Sequence, residues 1–401
     1  MGHRQLIKAS PIIALLGACI FLAGIASAAV TPYRGLVAID GLGMDNAAYA
    51  IVLALASIGA AIGSVILGYA SDKVSDRRRL VIICAALGAV AYGLIWLVPS
   101  QLAYIVAVCA ILPFGAALFS QSFAYARAFL NQHADTRRAE FMIAVLRSLF
   151  TAAWIVAPPL VGWIASTYSM FDVFLVAAVA QLLCMLMFAL LLLRPEAKVG
   201  IHSATRQATA APGSPFPPYR MLGTAGVAVL RIALVVNLTV FPLVLINDIG
   251  ASLAQLGLAA GLAAALEVPF MLMWGFAATR WPKEPIIIVS GVIFAAYLVG
   301  MFFARSFEDV LLLQSLNALG TAALLSITIS YVQDAIAGRV GLSTSLIDVM
   351  GVIAGFATAG LFAILSGPGN YANILLAAAA ASLLGAALLA VSWQIRRRVG
   401  A

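Results

Sequence analysis

Apolar residues in this chain come in long continuous runs, without the alternation of a half-buried strand. Twelve runs can be marked, and each has the roughly 20 residues an α-helix needs to cross the hydrocarbon of a bilayer. Only helices and closed barrels satisfy their backbone groups in lipid, and unbroken runs point to helices. The expected spans are 11–33, 47–70, 79–98, 102–126, 139–165 and 171–193, then 221–246, 253–278, 285–304, 308–333, 341–366 and 371–394. Between the sixth and seventh lies the one long polar stretch, 194–219, which carries Arg194, Glu196, Lys198, His202, Arg206 and five prolines. The pattern predicts an all-α integral membrane protein: a six-helix half over 1–193, a linker over 194–220 and a second six-helix half over 221–401.

Composition sharpens this reading. The 401 residues are 64% hydrophobic and 9% charged, where a soluble domain carries about 25% charged residues. Mean hydropathy is +1.08, so there is too little polar surface to cover a water-soluble core. A net charge of +8 would suit a nucleic-acid partner, but the placement of the charges argues otherwise. With the N-terminus inside, nineteen of the twenty-three Lys and Arg residues fall in connections on the inner side. Arg34 and Arg305 lie outside, and Arg147 and Arg231 lie within runs. Basic connections stay cytoplasmic, so the linker and both termini are expected in the cytoplasm, and no nucleic acid is implied. A competing reading takes Arg4, Lys8, the first run and Ala26-Ser27-Ala28 as a secretory leader. Its loss would leave eleven spans and spoil the correspondence between the halves. Cys19, Cys84, Cys109 and Cys184 fall in four different runs with no paired spacing. They read as small buried hydrophobes. No cofactor or metal is expected.

The halves repeat each other. Gly68-Tyr69-Ala70-Ser71-Asp72-Lys73 closes the second run and Gly275-Phe276-Ala277-Ala278-Thr279-Arg280 the eighth. Ile39-Asp40-Gly41-Leu42-Gly43 corresponds to Asn247-Asp248-Ile249-Gly250, with Gly43 and Gly250 at the same offset from Gly68 and Gly275. Two parallel six-helix repeats describe the major facilitator fold. Gly68-x-x-x-Asp72-Lys73 with Arg77-Arg78-Arg79 resembles that superfamily's signature between helices two and three, although the later glycine is missing and the loop is longer. Ala153-Trp154-Ile155-Val156-Ala157-Pro158-Pro159-Leu160-Val161-Gly162 resembles the Gly/Pro motif of its proton-antiporting exporters. Closer still is a resemblance to the bacterial sugar efflux transporter family. It is carried by Asp76-Arg77-Arg78-Arg79-Leu80, Ala124-Tyr125-Ala126-Arg127, Arg147 ahead of Ala153-Trp154, Leu266-Glu267-Val268-Pro269, and Gln333-Asp334 with Gly338-Arg339.

Intramembrane ionisable groups cost about 2.5–3.5 kcal/mol each on insertion scales and are functional candidates by default. Four are clear: Arg147, Arg231, Glu267 and Asp348, in the fifth, seventh, eighth and eleventh runs. The third, sixth, ninth and twelfth runs have none away from their ends, and the resemblance makes those four peripheral. Glu267 sits roughly 20 Å along its helix at 1.5 Å per residue, near mid-bilayer, and its counterpart in the first half is Ala60. It is the first candidate for a coupling proton and Asp348 the second; the alternative for Glu267 is a static ion pair with Arg147 or Arg231. Arg147, Thr151, Trp154 and Pro158 share one helix face. A guanidinium, a hydroxyl and an aromatic ring there suit a polyol. Gln121, Asn237, Gln314 and Asn317 add neutral amides, which could equally serve as interhelical glue. Asp72 with Arg77 and Arg78, and Asp334 with Arg339, are candidates for a cytoplasmic gate, against a reading as ordinary topology-setting charge.

The expected protein is thus a secondary transporter acting alone in the bacterial inner membrane, with a small molecule and protons as its partners. The resemblance implies export of small sugars or glycosides. An exporter of amphipathic drugs is the alternative within that class. Against a membrane-embedded enzyme stands the lack of a nucleophile motif or metal-ligand spacing, and against a receptor the lack of a signalling domain.

Overall fold

The computed structural model describes residues 2–74, 76–199, 217–335, 340–367 and 369–399. Linker residues 200–216 and the candidate gate residue Arg339 lie outside this set. Twelve helices are long and apolar enough to span a membrane, and no strand occurs among the described residues. We number them α1 (Gly2–Val30), α2 (Asn46–Lys73), α3 (Arg77–Leu97), α4 (Gln101–His133), α5 (Thr136–Thr167) and α6 (Asp172–Leu192). The second six are α7 (Pro218–Asp248), α8 (Leu253–Ala277), α9 (Lys283–Phe303), α10 (Phe307–Ala335), α11 (Val340–Leu365) and α12 (Ala372–Val399). Every expected run is matched by one helix. α1 begins at Gly2, well before its expected start at 11, and α4 continues to His133 and so draws Arg127, expected in a loop, into its last turns. A π-helical turn at Ala107–Ile111 and a break at Ala117, just after Pro113, interrupt it.

The chain divides into two compact units, one of 1–42 with 58–207 and the other of 43–57 with 208–401, so the boundary passes through α2. In the first unit α1 packs on α5 and α6, and α3 on α6 and α4. Its core gathers Leu16, Cys84, Tyr125, Phe129, Cys184 and Phe188, all fully buried. In the second unit α7 packs on α11 and α12, α9 on α12 and α10, and α8 on α10. Adding six to each label of the first set gives the matching pair in the second. Lipid tails supply no hydrophobic drive between helices, so association rests on close packing and interhelical hydrogen bonds. Gly226 of α7 and Gly385 of α12 show this: a Cβ on Gly226 would lie 2.8 Å from the Gly385 carbonyl oxygen, and one on Gly385 2.7 Å from that of Gly226. Trp274 of α8 donates its indole N–H to the Leu319 carbonyl of α10 at 2.9 Å.

The repeat extends to backbone detail. After α1 the chain passes through a π-helical turn at Val37–Gly41, and α7 ends in another at Val244–Asp248. Gly43 and Gly250 follow with φ of 63° and 80°, a left-handed conformation that only glycine adopts at little cost. The offset from Val37 to Val244 and from Gly43 to Gly250 is the same, 207 positions. A duplicated sequence has kept a duplicated turn.

Candidate functional site

Glu267 lies in the middle of α8, a helix fixed at its start by a capping box between Ser252 and Gln255 and carrying Pro269 two residues beyond the carboxylate. Its partner is a residue that sequence reasoning missed. Thr321 of α10, 6% exposed, places Oγ1 2.7 Å from Glu267 Oε1. The same oxygen lies 2.7 Å from the Asn317 carbonyl oxygen. A hydroxyl has one hydrogen to donate. When Glu267 is ionised, Thr321 donates to the carboxylate. When Glu267 is protonated, the carboxyl can donate to Oγ1 and the threonine hydrogen turns to the Asn317 carbonyl. One geometry therefore serves both protonation states. Among the described residues of its own unit Glu267 forms no ion pair, so the static partnership with Arg231 has no direct contact to support it.

The amides expected in a cavity belong partly to this same network. Gln314, Asn317 and Thr321 share one face of α10 at spacings of three and four. Asn317 Nδ2 donates to Gln314 Oε1 at 2.8 Å, and the two residues are 9% and 1% exposed. Tyr297 of α9 donates its hydroxyl to Asn237 Oδ1 of α7 at 3.2 Å and adjoins Gln314. Polar groups from α7, α8, α9 and α10 thus meet inside one half. Gln314 and Asn317 are buried in this network, and the hydrogen bond between them lies within α10.

Arg231 of α7 is half-buried, with Nε buried and without a hydrogen-bond partner among the described residues. Its guanidinium passes over Gly351 of α11, where a Cβ would sit 3.7 Å from Nε. Asp348, one turn earlier on α11, is exposed and interacts with Arg231 electrostatically without forming a direct ion pair. On α5, Arg147 is exposed, Thr151 donates to the Arg147 carbonyl at 3.1 Å and Trp154 is half-buried. Tyr33 donates to the Pro158 carbonyl at 3.2 Å, anchoring that end of the stripe. Gln121 on α4 is half-buried.

The candidate gate residues are dispersed. Arg78 is buried at the start of α3, where it pairs with Asp76 at 2.7 Å and donates to the carbonyls of Leu191 and Arg194 at 2.7 and 3.0 Å. Asp76 in turn caps α3 by accepting from the Arg78 backbone N–H at 3.1 Å. Hydrogen bonding to Arg78 holds the Asp76 carboxyl below the usual range. These bonds all lie within the first unit and tie the start of α3 to the end of α6. Asp334 pairs with Lys283 at 2.6 Å. Arg77 is half-buried, while the side chain of Asp72 and all of Arg339 lie outside the described residues. Among the described residues no three His, Cys, Asp or Glu side chains gather as a metal site.

Comparison with known proteins is consistent along the chain. The sequence model of the Major Facilitator Superfamily matches residues 16–238. Sugar efflux transporter B of Salmonella typhimurium is 30% identical over 81% of each chain. A Deinococcus radiodurans chain whose name places it among sugar efflux transporters is 29% identical, covering 94% of this chain and 96% of its own. Among solved structures, a crystal structure of the peptide transporter POT in complex with alafosfalin aligns with a TM-score of 0.78 at 16% identity, covering 96% of this chain and 95% of that one. That likeness is one of fold. With twelve spans, duplicated halves and these relatives, the chain belongs to the major facilitator superfamily, within its bacterial sugar efflux transporter family.

Proposed function

We propose that the protein exports small sugars or glycosides from the cytoplasm in exchange for protons, by alternating access between its two halves. The observation that carries the proton part is the single Thr321 hydroxyl poised between Glu267 and the Asn317 carbonyl. A carboxyl that keeps a satisfied partner in either protonation state can load and unload a proton without leaving a buried polar group orphaned, which costs about 1–3 kcal/mol. Asp348, facing Arg231, is the second proton candidate. The sugar part is supported by the names of the relatives and by the Arg147–Thr151–Trp154 stripe on α5. On that stripe the exposed guanidinium offers hydrogen bonds and the half-buried indole a stacking face. Gln121 in the first unit and Arg231 and Asn237 in the second are the further candidates for sugar contact. Asp72, Arg77, Asp334 and Arg339 act as the cytoplasmic gate, while Arg78 anchors the loop that carries its neighbours. Both termini are cytoplasmic, in an inner-membrane protein.

The test is uptake of a radiolabelled sugar panel into inverted membrane vesicles with an acid interior. Export in the cell corresponds to uptake here, with protons leaving as sugar enters. At least one sugar should accumulate above vector-only vesicles, and a protonophore should collapse that accumulation. Accumulation of amphipathic drugs with no sugar in the panel transported would move the assignment to the drug-exporter alternative.

A further inference from the structure

At one end of the second unit, an open cavity of about 420 Å³ is surrounded by the starts of α7 and α9 and the ends of α10 and α12. Arg220 of α7, Lys283 of α9 and Arg396 of α12 line it, with Glu284, Asp334 and Trp281. Odd-numbered helices begin here and even-numbered ones finish here, so the cavity lies at the depth where helices leave the hydrocarbon and lipid headgroups begin.

Its carboxylates are already engaged: Asp334 accepts from Lys283 at 2.6 Å, and Glu284 pairs with Arg396. Arg220 has no carboxylate partner among the described residues. Its Nη1 donates to the Ala335 carbonyl at 3.3 Å, which leaves most of the guanidinium's five donors for an outside acceptor. Three cations therefore face two neutralised carboxylates. Trp281, 63% exposed, forms part of the lining, and an exposed indole is favoured at the membrane interface. On the last two turns of α8, which leads into Trp281, Leu272 and Phe276 are exposed at 72% and 58%. They offer an apolar track running away from the charged end.

We propose that this cavity binds a phosphate group, and that its source is the headgroup of an anionic phospholipid whose acyl chains lie along the α8 track. Arginine suits a phosphate because two of its N–H groups meet two phosphate oxygens in parallel. Basic pockets between membrane helices at the headgroup level recognise anionic lipids by this chemistry. A zwitterionic headgroup brings its own cation to an already positive cavity and binds less well. The bound lipid bridges the ends of α7, α9 and α12.

Native mass spectrometry of the full chain in detergent, titrated with phosphatidylglycerol or phosphatidylcholine, tests this. Phosphatidylglycerol should be retained in preference to phosphatidylcholine. Arg220→Gln should weaken its retention about fivefold, the share of one cation near an anionic surface, and millimolar inorganic phosphate should leave it bound. If phosphate displaces the lipid, the phosphate chemistry stands but the lipid loses its claim to the site. Equal retention of both lipids, or retention unchanged in Arg220→Gln, overturns the proposal. Should Arg220→Gln fail to express, Trp281→Ala carries the same test through an exposed residue, with reduced retention of phosphatidylglycerol expected and unchanged retention decisive against.

Discussion

Glu267→Gln is expected to reduce sugar transport driven by a pH gradient by about two orders of magnitude, the scale that one positioned proton-transfer group supplies. The amide keeps the shape of the side chain, and its oxygen can still accept from Thr321, so helix packing is retained. It cannot take up and release a proton. Substrate binding and counterflow exchange, which need the conformational cycle but no net proton movement, should survive. That split separates a coupling carboxyl from a structural one, whose loss would lower expression, binding and exchange together. Thr321→Val extends the argument. It removes the hydroxyl at nearly constant volume and should impair gradient-driven transport more than exchange, with Thr321→Ser restoring it. Full gradient-driven transport by Glu267→Gln would pass the coupling role to Asp348.

The largest effect on stability is expected at Arg78. Its side chain is 4% exposed and that of its partner Asp76 11%, and the same guanidinium satisfies the Leu191 and Arg194 carbonyls at the end of α6. Arg78→Ala leaves a carboxylate uncompensated at a buried site, which costs about 3–5 kcal/mol. Thermal unfolding in detergent should show it as a large drop in midpoint, or expression should fail. Adding Asp76→Asn should recover part of the loss by removing the stranded charge. The pH dependence follows the direction of the shift. Because Arg78 lowers the Asp76 pKa in the folded protein, the pair's contribution is complete above the unfolded carboxyl's value of about 3.9. It is lost as pH falls through the lower folded value. Between neutral and mildly acid pH, the pair should leave stability unchanged.

The fold was legible because a bilayer leaves few choices. Twelve unbroken apolar runs have one helical solution, and the matched offsets of Gly43 with Gly68 and of Gly250 with Gly275 carry the duplication down to individual turns. The length of α4 was less legible: His133 and Arg127 read as loop residues by charge, yet the helix runs on past the apolar stretch. Glu267 stood out as a candidate by its cost in lipid alone. Its partner did not, because Thr321 is 54 positions away and meets it only through the packing of α8 on α10. A threonine in an apolar run is also unremarkable by composition. Gln314 and Asn317 were found as polar residues, but whether they face a cavity or a neighbouring helix depends on helix rotation. Arg78 shows the converse case. A run of three arginines reads as topology-setting charge or a gate, and only the folded loop shows that the middle one turns inward onto Asp76 and the end of α6.

Exchange of sugar for protons is tested most directly by the proton itself. Purified protein in liposomes loaded with a transported sugar and a pH-sensitive dye is diluted into sugar-free buffer, with no pH gradient imposed and the membrane potential clamped. Sugar leaving down its gradient should draw protons inward, acidify the lumen in step with sugar efflux, and do neither in Glu267→Gln. A lumen that stays at constant pH while sugar leaves, or one that turns alkaline, contradicts proton exchange.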